Sequence, residues 1–374
     1  MILATFAVSL AAALSAHEDT ARFDVGLDAM IGQMLLIGFT GTSADGEGAR
    51  RITEQIARGE IGGVILMDRN IRSRTQVKAL TSRFRSARKD LTPIISVDQE
   101  GGNVQRLSSR RGFGSYPMAR SVGRGYTPEK ALATYRKMAR ELAETGINLN
   151  YGPVVDLDLY RWNPIIGRKG RSFGDDPEKV VKFATAFITA HREANVLTCI
   201  KHFPGHGSSR TDSHKRLVDL TKTWKEVELE PYCALKREGL IDTIMVGHLF
   251  LPRFSGEGRL PASLAPGAIE GWIREDLGFE GVVITDDLEM AAVKKHHSLE
   301  KTLVMAINSG NDILMFANPD AGFVPRATKL ISDAVEAGDI SKERIEQAYS
   351  RIVALKRRLA LAQPWFAGLP AELP

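Results

Sequence analysis

Along this chain, short apolar runs alternate with segments whose apolar residues recur every three to four positions. The runs at 34–38, 63–67, 93–97, 148–153, 196–200, 243–247, 281–285 and 312–316 are dominated by Val, Ile, Leu and other apolar residues. A strand that is apolar on both sides suits a parallel sheet covered on both faces, and the intervening helical segments supply the crossovers. Those segments carry boundary marks. Thr127 followed by Pro128 predicts an N-cap and first turn, with Leu132, Tyr135, Ala139 and Leu142 as the apolar stripe and Gly146 as the stop. Ser341 predicts the cap of a last helix that carries Ile345, Tyr349, Ile352, Leu355 and Leu359 on one side. Eight strand–helix units predict an α/β fold, a single (β/α)8 TIM-type barrel, since a Rossmann sheet would need a glycine fingerprint after an early strand.

Composition narrows the class. At 374 residues, 43% hydrophobic and 25% charged, the chain has the make-up of a soluble globular protein long enough for one such barrel. Fifty basic residues against forty-five acidic ones leave a net charge of +5, with no long block of one sign. That predicts a solvated surface with at most a weak attraction to anionic polymers such as cell wall. Residues 83–89 are basic, but Phe84 is their one aromatic and reads as a core anchor, so nucleic-acid binding is not expected. Cys199 and Cys233 fall in a predicted strand and a predicted helix and are expected to be buried free thiols. No Cys-x-x-Cys spacing occurs, and Gly101-Gly102 alone does not make a phosphate loop, so neither a metal nor a cofactor is expected. Residues 1–16 are apolar and small and polar sequence follows at once, which predicts a secretory signal cleaved near Ala16, without stable membrane insertion afterwards. The expected product is periplasmic or secreted and monomeric; with a misassigned start it would be cytoplasmic. The barrel is expected over 17–361, and the tail 362–374, with three prolines, is expected to lie along the surface.

The polar residues with chemical potential sit just after the apolar runs. Asp98 follows the third, Asp156 the fourth, Lys201 and His202 the fifth, His248 the sixth and Asp286 the seventh. In a (β/α)8 barrel those carboxyl-terminal strand ends carry the chemistry. Core packing does not call for charges there, because buried charges cost several kcal/mol unless paired. In Ile284-Thr285-Asp286-Asp287-Leu288 the first carboxylate reads as a nucleophile, or else as a helix cap. In Thr211-Asp212-Ser213-His214 the carboxylate stands two residues from an imidazole that titrates near neutrality. That pair reads as an acid/base dyad, or else as a staple for its loop. Gly205, Gly207, Ser208 and Ser209 predict a flexible loop, so the dyad is expected to dock over bound substrate. A nucleophilic carboxylate and a separately held His–Asp pair together suggest cleavage of an acetal, a sugar bond.

Lys201-His202-Phe203-Pro204-Gly205-His206-Gly207, Thr211-Asp212-Ser213-His214 and the Thr285-Asp286-Asp287-Leu288 block together resemble glycoside hydrolase family 3, and within it the β-N-acetylglucosaminidase branch. Further blocks match in order: Ile95-Ser96-Val97-Asp98-Gln99-Glu100-Gly101-Gly102, Gly146-Ile147-Asn148-Leu149-Asn150, Arg171-Ser172-Phe173-Gly174 and Ala306-Ile307-Asn308-Ser309-Gly310-Asn311-Asp312. The resemblance runs from about residue 30 to residue 360. It implies a retaining exo-β-N-acetylglucosaminidase with Asp286 as nucleophile, His214 and Asp212 as acid/base, and Asp98, Arg106, Arg171, Lys201 and His202 around the sugar. Asp287 is expected to support Asp286; His248 is open between a ligand contact and a core-edge role; His206 is expected to be structural, and His296 and His297 solvated. Many relatives carry a second, sandwich domain that supplies the acid/base; here the barrel itself is expected to supply it.

The implied substrate is a small carbohydrate, a terminal N-acetylglucosamine on cell-wall fragments (muropeptides) or on chitooligosaccharides. A phosphorylase or β-glucosidase of the same family and a non-catalytic sugar-binding protein are the alternatives. Two departures stand out. Asn103 occupies a place where the family carries Arg. The block before Ser172 is longer than the pattern, so that either Arg168 or Arg171 meets the sugar; the register of Ser172-Phe173-Gly174 favours Arg171.

Overall fold

The computed structural model describes residues 25–213, 216–255 and 258–361. Eight parallel strands make up its central sheet: β1 (Leu35–Ile37), β2 (Gly63–Leu66), β3 (Ile94–Val97), β4 (Leu149–Asn150), β5 (Leu197–Phe203), β6 (Thr243–Val246), β7 (Val282–Thr285) and β8 (Leu314–Phe316). Each pairs with its neighbours in sequence, and β8 pairs in parallel with β1 through Leu35–Leu314, Leu36–Met315 and Ile37–Phe316. Ile284 and Ile313 form a parallel bridge between β7 and β8, and Thr285 N–H donates to the Ile313 carbonyl at 3.0 Å, which closes the ring. The (β/α)8 barrel expected from the alternating pattern is the observed fold. β5 runs three residues beyond the predicted end, so Lys201 and His202 lie within the strand, joined by a cis peptide bond.

Helices cover the ring because each has an apolar face to bury and a polar one to leave in water. Pro128–Glu144 buries Ala131, Tyr135, Met138, Ala139 and Leu142, and Thr127 caps it by accepting from Lys130 N–H. Ser341 Oγ accepts from Arg344 N–H at 3.1 Å at the start of Lys342–Leu361. An extra helix, Leu27–Met34, packs against that last helix below the barrel. Here Lys356 is fully buried and donates to Gln33 Oε1 at 2.7 Å and the Gly62 carbonyl at 2.6 Å. Burial pushes its ammonium down to about 7. At the same end, buried Asp312 pairs with Arg274, Arg344 and Arg351, and Asp242 with Arg192 and Arg358. The amino-terminal end is thus fixed by paired charges, and the open chemistry lies at the other.

Two expectations are corrected. Both cysteines are free thiols, but only Cys199 is buried; Cys233 is exposed. It lies on the outer side of Glu230–Arg237, whose inward residues are Pro231, Tyr232 and Leu235. The Gly/Ser stretch after Pro204 is not loose either. His206, Ser208 and Ser209 are buried, the buried Asn163 amide donates to the His206 carbonyl at 2.7 Å and the Gly207 carbonyl at 3.1 Å, and Glu228 accepts from Gly207 N–H at 2.9 Å. Composition favoured mobility there, but tertiary partners bind up the backbone. The segments 1–16 and 362–374, read as a signal and a surface tail, and His214 lie outside the described residues. Among those residues no helix is long and apolar enough to cross a membrane.

Candidate active site

A cavity of about 360 Å3 opens at the carboxyl-terminal end of the strands. Asp98, Arg106, Arg171, Lys201, His202 and Asp286 all line it, although they come from loops and strands spread over almost two hundred residues. Ile65, Met67, Met245, Met290 and Met315 supply apolar wall. Ser213 borders the cavity, so Asp212 stands one residue from its wall, partly exposed.

The cationic side is a single ladder of charges. Lys201, 2% exposed, donates from Nζ to Asp98 Oδ1 and to Glu100 Oε1, each at 2.7 Å. Arg171 grips Glu100 with two parallel bonds, Nε to Oε2 at 2.8 Å and Nη2 to Oε1 at 2.7 Å. Arg106 bridges Asp68 at 2.9 Å and Asp98 at 3.5 Å. Burial alone would raise the carboxyls, yet Lys201 and Arg106 outweigh it at Asp98 and hold it below its usual range. At Glu100, Arg171 and Lys201 do the same and bring it to about 2. All these groups are therefore charged at neutral pH, and their hydrogen-bonding atoms are fixed before a ligand arrives. The pattern suits a ring of hydroxyls, which both donates and accepts.

Asp156 organises the next layer. It is buried, and it accepts from His202 N–H at 3.1 Å, from His206 N–H at 2.8 Å and from His202 Nδ1 at 2.7 Å. The other nitrogen of His202, Nε2, lies 3.3 Å from Arg171 Nη2. Burial would raise Asp156, but its two histidine neighbours hold it low. His206 is pushed down to about 4, first by burial and then by His202, so its ring is neutral. It meets the hydroxyls of Ser209 and, at 3.0 Å, Ser213. It is structural as expected, and it also borders the cavity and braces the residue next to Asp212.

On the anionic side, β7 delivers Asp286 to the rim. Its backbone N–H donates to the Val246 carbonyl at 3.0 Å, and its Oδ1 accepts from Asp287 N–H at 2.8 Å. Asp287 also borders the cavity, and its Oδ1 accepts from Glu289 N–H and Ala317 N–H, each at 3.1 Å. Burial pushes it up to about 6 against those two bonds, with the Asp286 charge adding to the rise. His248 is fully buried; Nδ1 meets Ser263 Oγ at 2.7 Å and Nε2 meets the Asp287 carbonyl at 2.9 Å. It holds the backbone beside Asp286 and does not line the cavity. Of the two arginines, Arg171 is in the cavity wall and Arg168 is exposed outside it. Asn103 stands at the rim, donating to the Lys169 carbonyl at 3.2 Å.

Sequence reasoning passed over three carboxylates or amides that hold the site. Glu100 joins Lys201 to Arg171, Glu228 lies under the Gly205–Gly207 backbone, and Asn150 clamps Gln99 by accepting from its N–H and donating to its carbonyl, each at 2.9 Å. Glu100 was signalled by a second charge two residues after Asp98 in the same strand exit; Glu228 had no local signal, being a helix-start acid whose burial comes from the fold. Among the described residues no cluster of His, Cys, Asp and Glu has the arrangement of a metal site.

A closed (β/α)8 barrel with fixed, paired charges around a sugar-sized cavity at its carboxyl-terminal mouth defines the class. The chain matches the model of the glycosyl hydrolase family 3 N-terminal domain over residues 26–355 and belongs to that family. A β-hexosaminidase from Xylella fastidiosa (strain 9a5c) is 34% identical over 316 residues, which is 81% of this chain and 86% of that protein. β-Hexosaminidase A from Pseudoalteromonas piscicida is 29% identical across 92% of this chain, which spans 63% of that relative's length. Among solved structures, a family 3 β-N-acetylglucosaminidase from Paenibacillus sp. str. FPU-7 superposes with a TM-score of 0.83 at 32% identity, covering 94% of this chain and 65% of that one. A β-N-acetylhexosaminidase from Beutenbergia cavernae DSM 12333 gives 0.81 at 27% identity, covering 89% and 99%.

Proposed function

We propose that this chain is a retaining exo-β-N-acetylglucosaminidase. The observation that carries the reading is the single cavity in which Asp286 faces the Asp98–Lys201–Glu100–Arg171 ladder. Its volume suits one terminal sugar, with Asp98, Arg106, Arg171, Lys201 and His202 on the hydroxyls and Asp286 at the anomeric carbon. The names of its relatives support the same reading. In the first step the Asp286 carboxylate forms a bond to the anomeric carbon while the glycosidic C–O bond breaks and His214 gives its proton to the leaving oxygen. In the second, neutral His214 takes a proton from water, whose oxygen bonds to the anomeric carbon on the face the leaving group vacated and expels the Asp286 carboxylate, so that two inversions give retention. Asp212 orients the imidazole and offsets its charge. Asp287 N–H and the His248-held backbone keep the nucleophile aimed.

Terminal N-acetylglucosamine on muropeptides or chitooligosaccharides is the substrate class, and the apolar N-terminal stretch supports action outside the cytoplasm. Release of chromophore from an aryl β-N-acetylglucosaminide against an aryl β-glucoside tests the assignment. A strong preference for the acetamido sugar is expected; preference for the glucoside would overturn it.

A further inference from the structure

Beside the cavity, on the outer side of the loop that follows β4, lies a second feature. Arg120, Arg161, Trp162 and Arg168 enclose a surface cleft of about 570 Å3. Trp162 is 69% exposed, the one large hydrophobic side chain so exposed among the described residues. Arg161 and Arg168 are exposed and have no ion-pair or side-chain hydrogen-bond partner among those residues. Lys169 adds a further exposed cation beside them, and Arg210 stacks its guanidinium over the Tyr160 ring at 5.3 Å. Asp158 is the carboxylate at hand, and Arg120 occupies it at 2.8 Å.

The loop is held firmly while it presents these groups. Asn163, fully buried, accepts from Ile165 N–H and Ile166 N–H, each at 2.9 Å, and ties the loop to His206 and Gly207. Arg120 also donates to the Gly167 carbonyl, and Asn103 to that of Lys169. A rigid loop that gathers like charges around a bare indole carries a repulsive and a hydrophobic penalty, and both are relieved by an anionic, ring-shaped ligand.

We propose that this patch binds an acidic glycan, a chain of pyranose rings bearing carboxylates, at a site separate from the cavity of Asp286. The indole plate matches the C–H face of a pyranose, and the guanidinium fork matches a carboxylate. A single-stranded nucleic acid would call for a row of exposed aromatics on which successive bases stack. Here one indole is open, and the face of Tyr160 is occupied by Arg210. The inference goes beyond the catalytic reading and does not rest on it: of the patch residues Lys169 alone also borders the cavity, and binding is measured without turnover.

The test is calorimetric titration of the full chain with trigalacturonate at low salt, beside maltotriose as the neutral trisaccharide and decathymidylate as the nucleic acid. Saturable binding of trigalacturonate is expected, weakened about tenfold or more in Trp162→Ala and in the double variant Arg161→Gln/Arg168→Gln. Each variant should keep the wild-type thermal melt, since none of these side chains supports the fold. Absence of binding to the wild type, equal binding by the variants, equal affinity for maltotriose, or tighter binding of decathymidylate would each overturn the proposal.

Discussion

Glu100 and Arg171 face each other in a two-bond, nearly buried pair, with side chains 6% and 9% exposed, and Lys201 leans on the same carboxylate. One anion thus fixes two of the cations that line the cavity. Its proton is held off to about 2, so the arrangement persists across the working range of most enzymes.

Replacing that anion should be costly even with a side chain of the same shape. Glu100→Gln leaves Arg171 without a counter-charge and Lys201 with Asp98 alone. Removing one partner of a buried pair costs about 3–5 kcal/mol, and a loss near the lower end is expected because Asp98 remains. Urea unfolding of the variant reads the loss directly. A midpoint equal to that of the wild type would mean that Glu100 does not hold the network together.

The two proposed chemical groups should fail differently. Asp286→Asn should abolish turnover of every substrate, since no glycosyl intermediate forms. His214→Ala should slow natural glycosides by about 10²–10⁴-fold while sparing the first step of aryl glycosides with good leaving groups. Burst kinetics with a dinitrophenyl glycoside separate the steps. If His214→Ala slowed activated and natural substrates equally and left hydrolysis of the intermediate unchanged, the acid/base assignment would be wrong.

Glu228 ties stability to pH. Glu228 is 1% exposed, and its carboxyl is pushed up to about 7, chiefly by burial and also by the nearby Asp156 charge, against the hydrogen bond from Gly207 N–H. Its ordinary value is 4.5. A folded-state value above the unfolded one means that the native state binds the extra proton. The resulting stabilisation is complete below about 4.5 and is lost as pH rises through about 7. At roughly 1.4 kcal/mol per unit the swing is on the order of 3 kcal/mol. Denaturant unfolding at pH 5 and pH 8 should show a smaller difference for Glu228→Gln than for the wild type; identical differences would show that Glu228 is not the titrating group.

The fold was legible because its signals are local. All eight apolar runs became barrel strands, and Thr127 and Ser341 cap the helices they were expected to start. Asp98, Lys201, His202 and Asp286 could be named from the strand exits, which in a barrel converge on one end, and Arg106 and Arg171 from the family resemblance; all six line the cavity. What stayed hidden depends on neighbours distant in sequence. Gly205, Gly207, Ser208 and Ser209 read as mobile from composition, yet Asn163 and Glu228 hold them. Cys233 sits on a helix whose period alone leaves its facing open by one position, and the helix turns it outward.

Gly207 sits so close to Leu157 that any side chain would strike the Leu157 carbonyl, and its N–H ends on Glu228. The exit of β4 and the exit of β5 are therefore locked to each other through bare backbone. For anyone grafting new specificity onto this scaffold, the two exits form one exchangeable unit. A transplanted β5 loop that arrives without its own β4 counterpart would meet a surface cut for a different chain, however well its catalytic side chains were chosen.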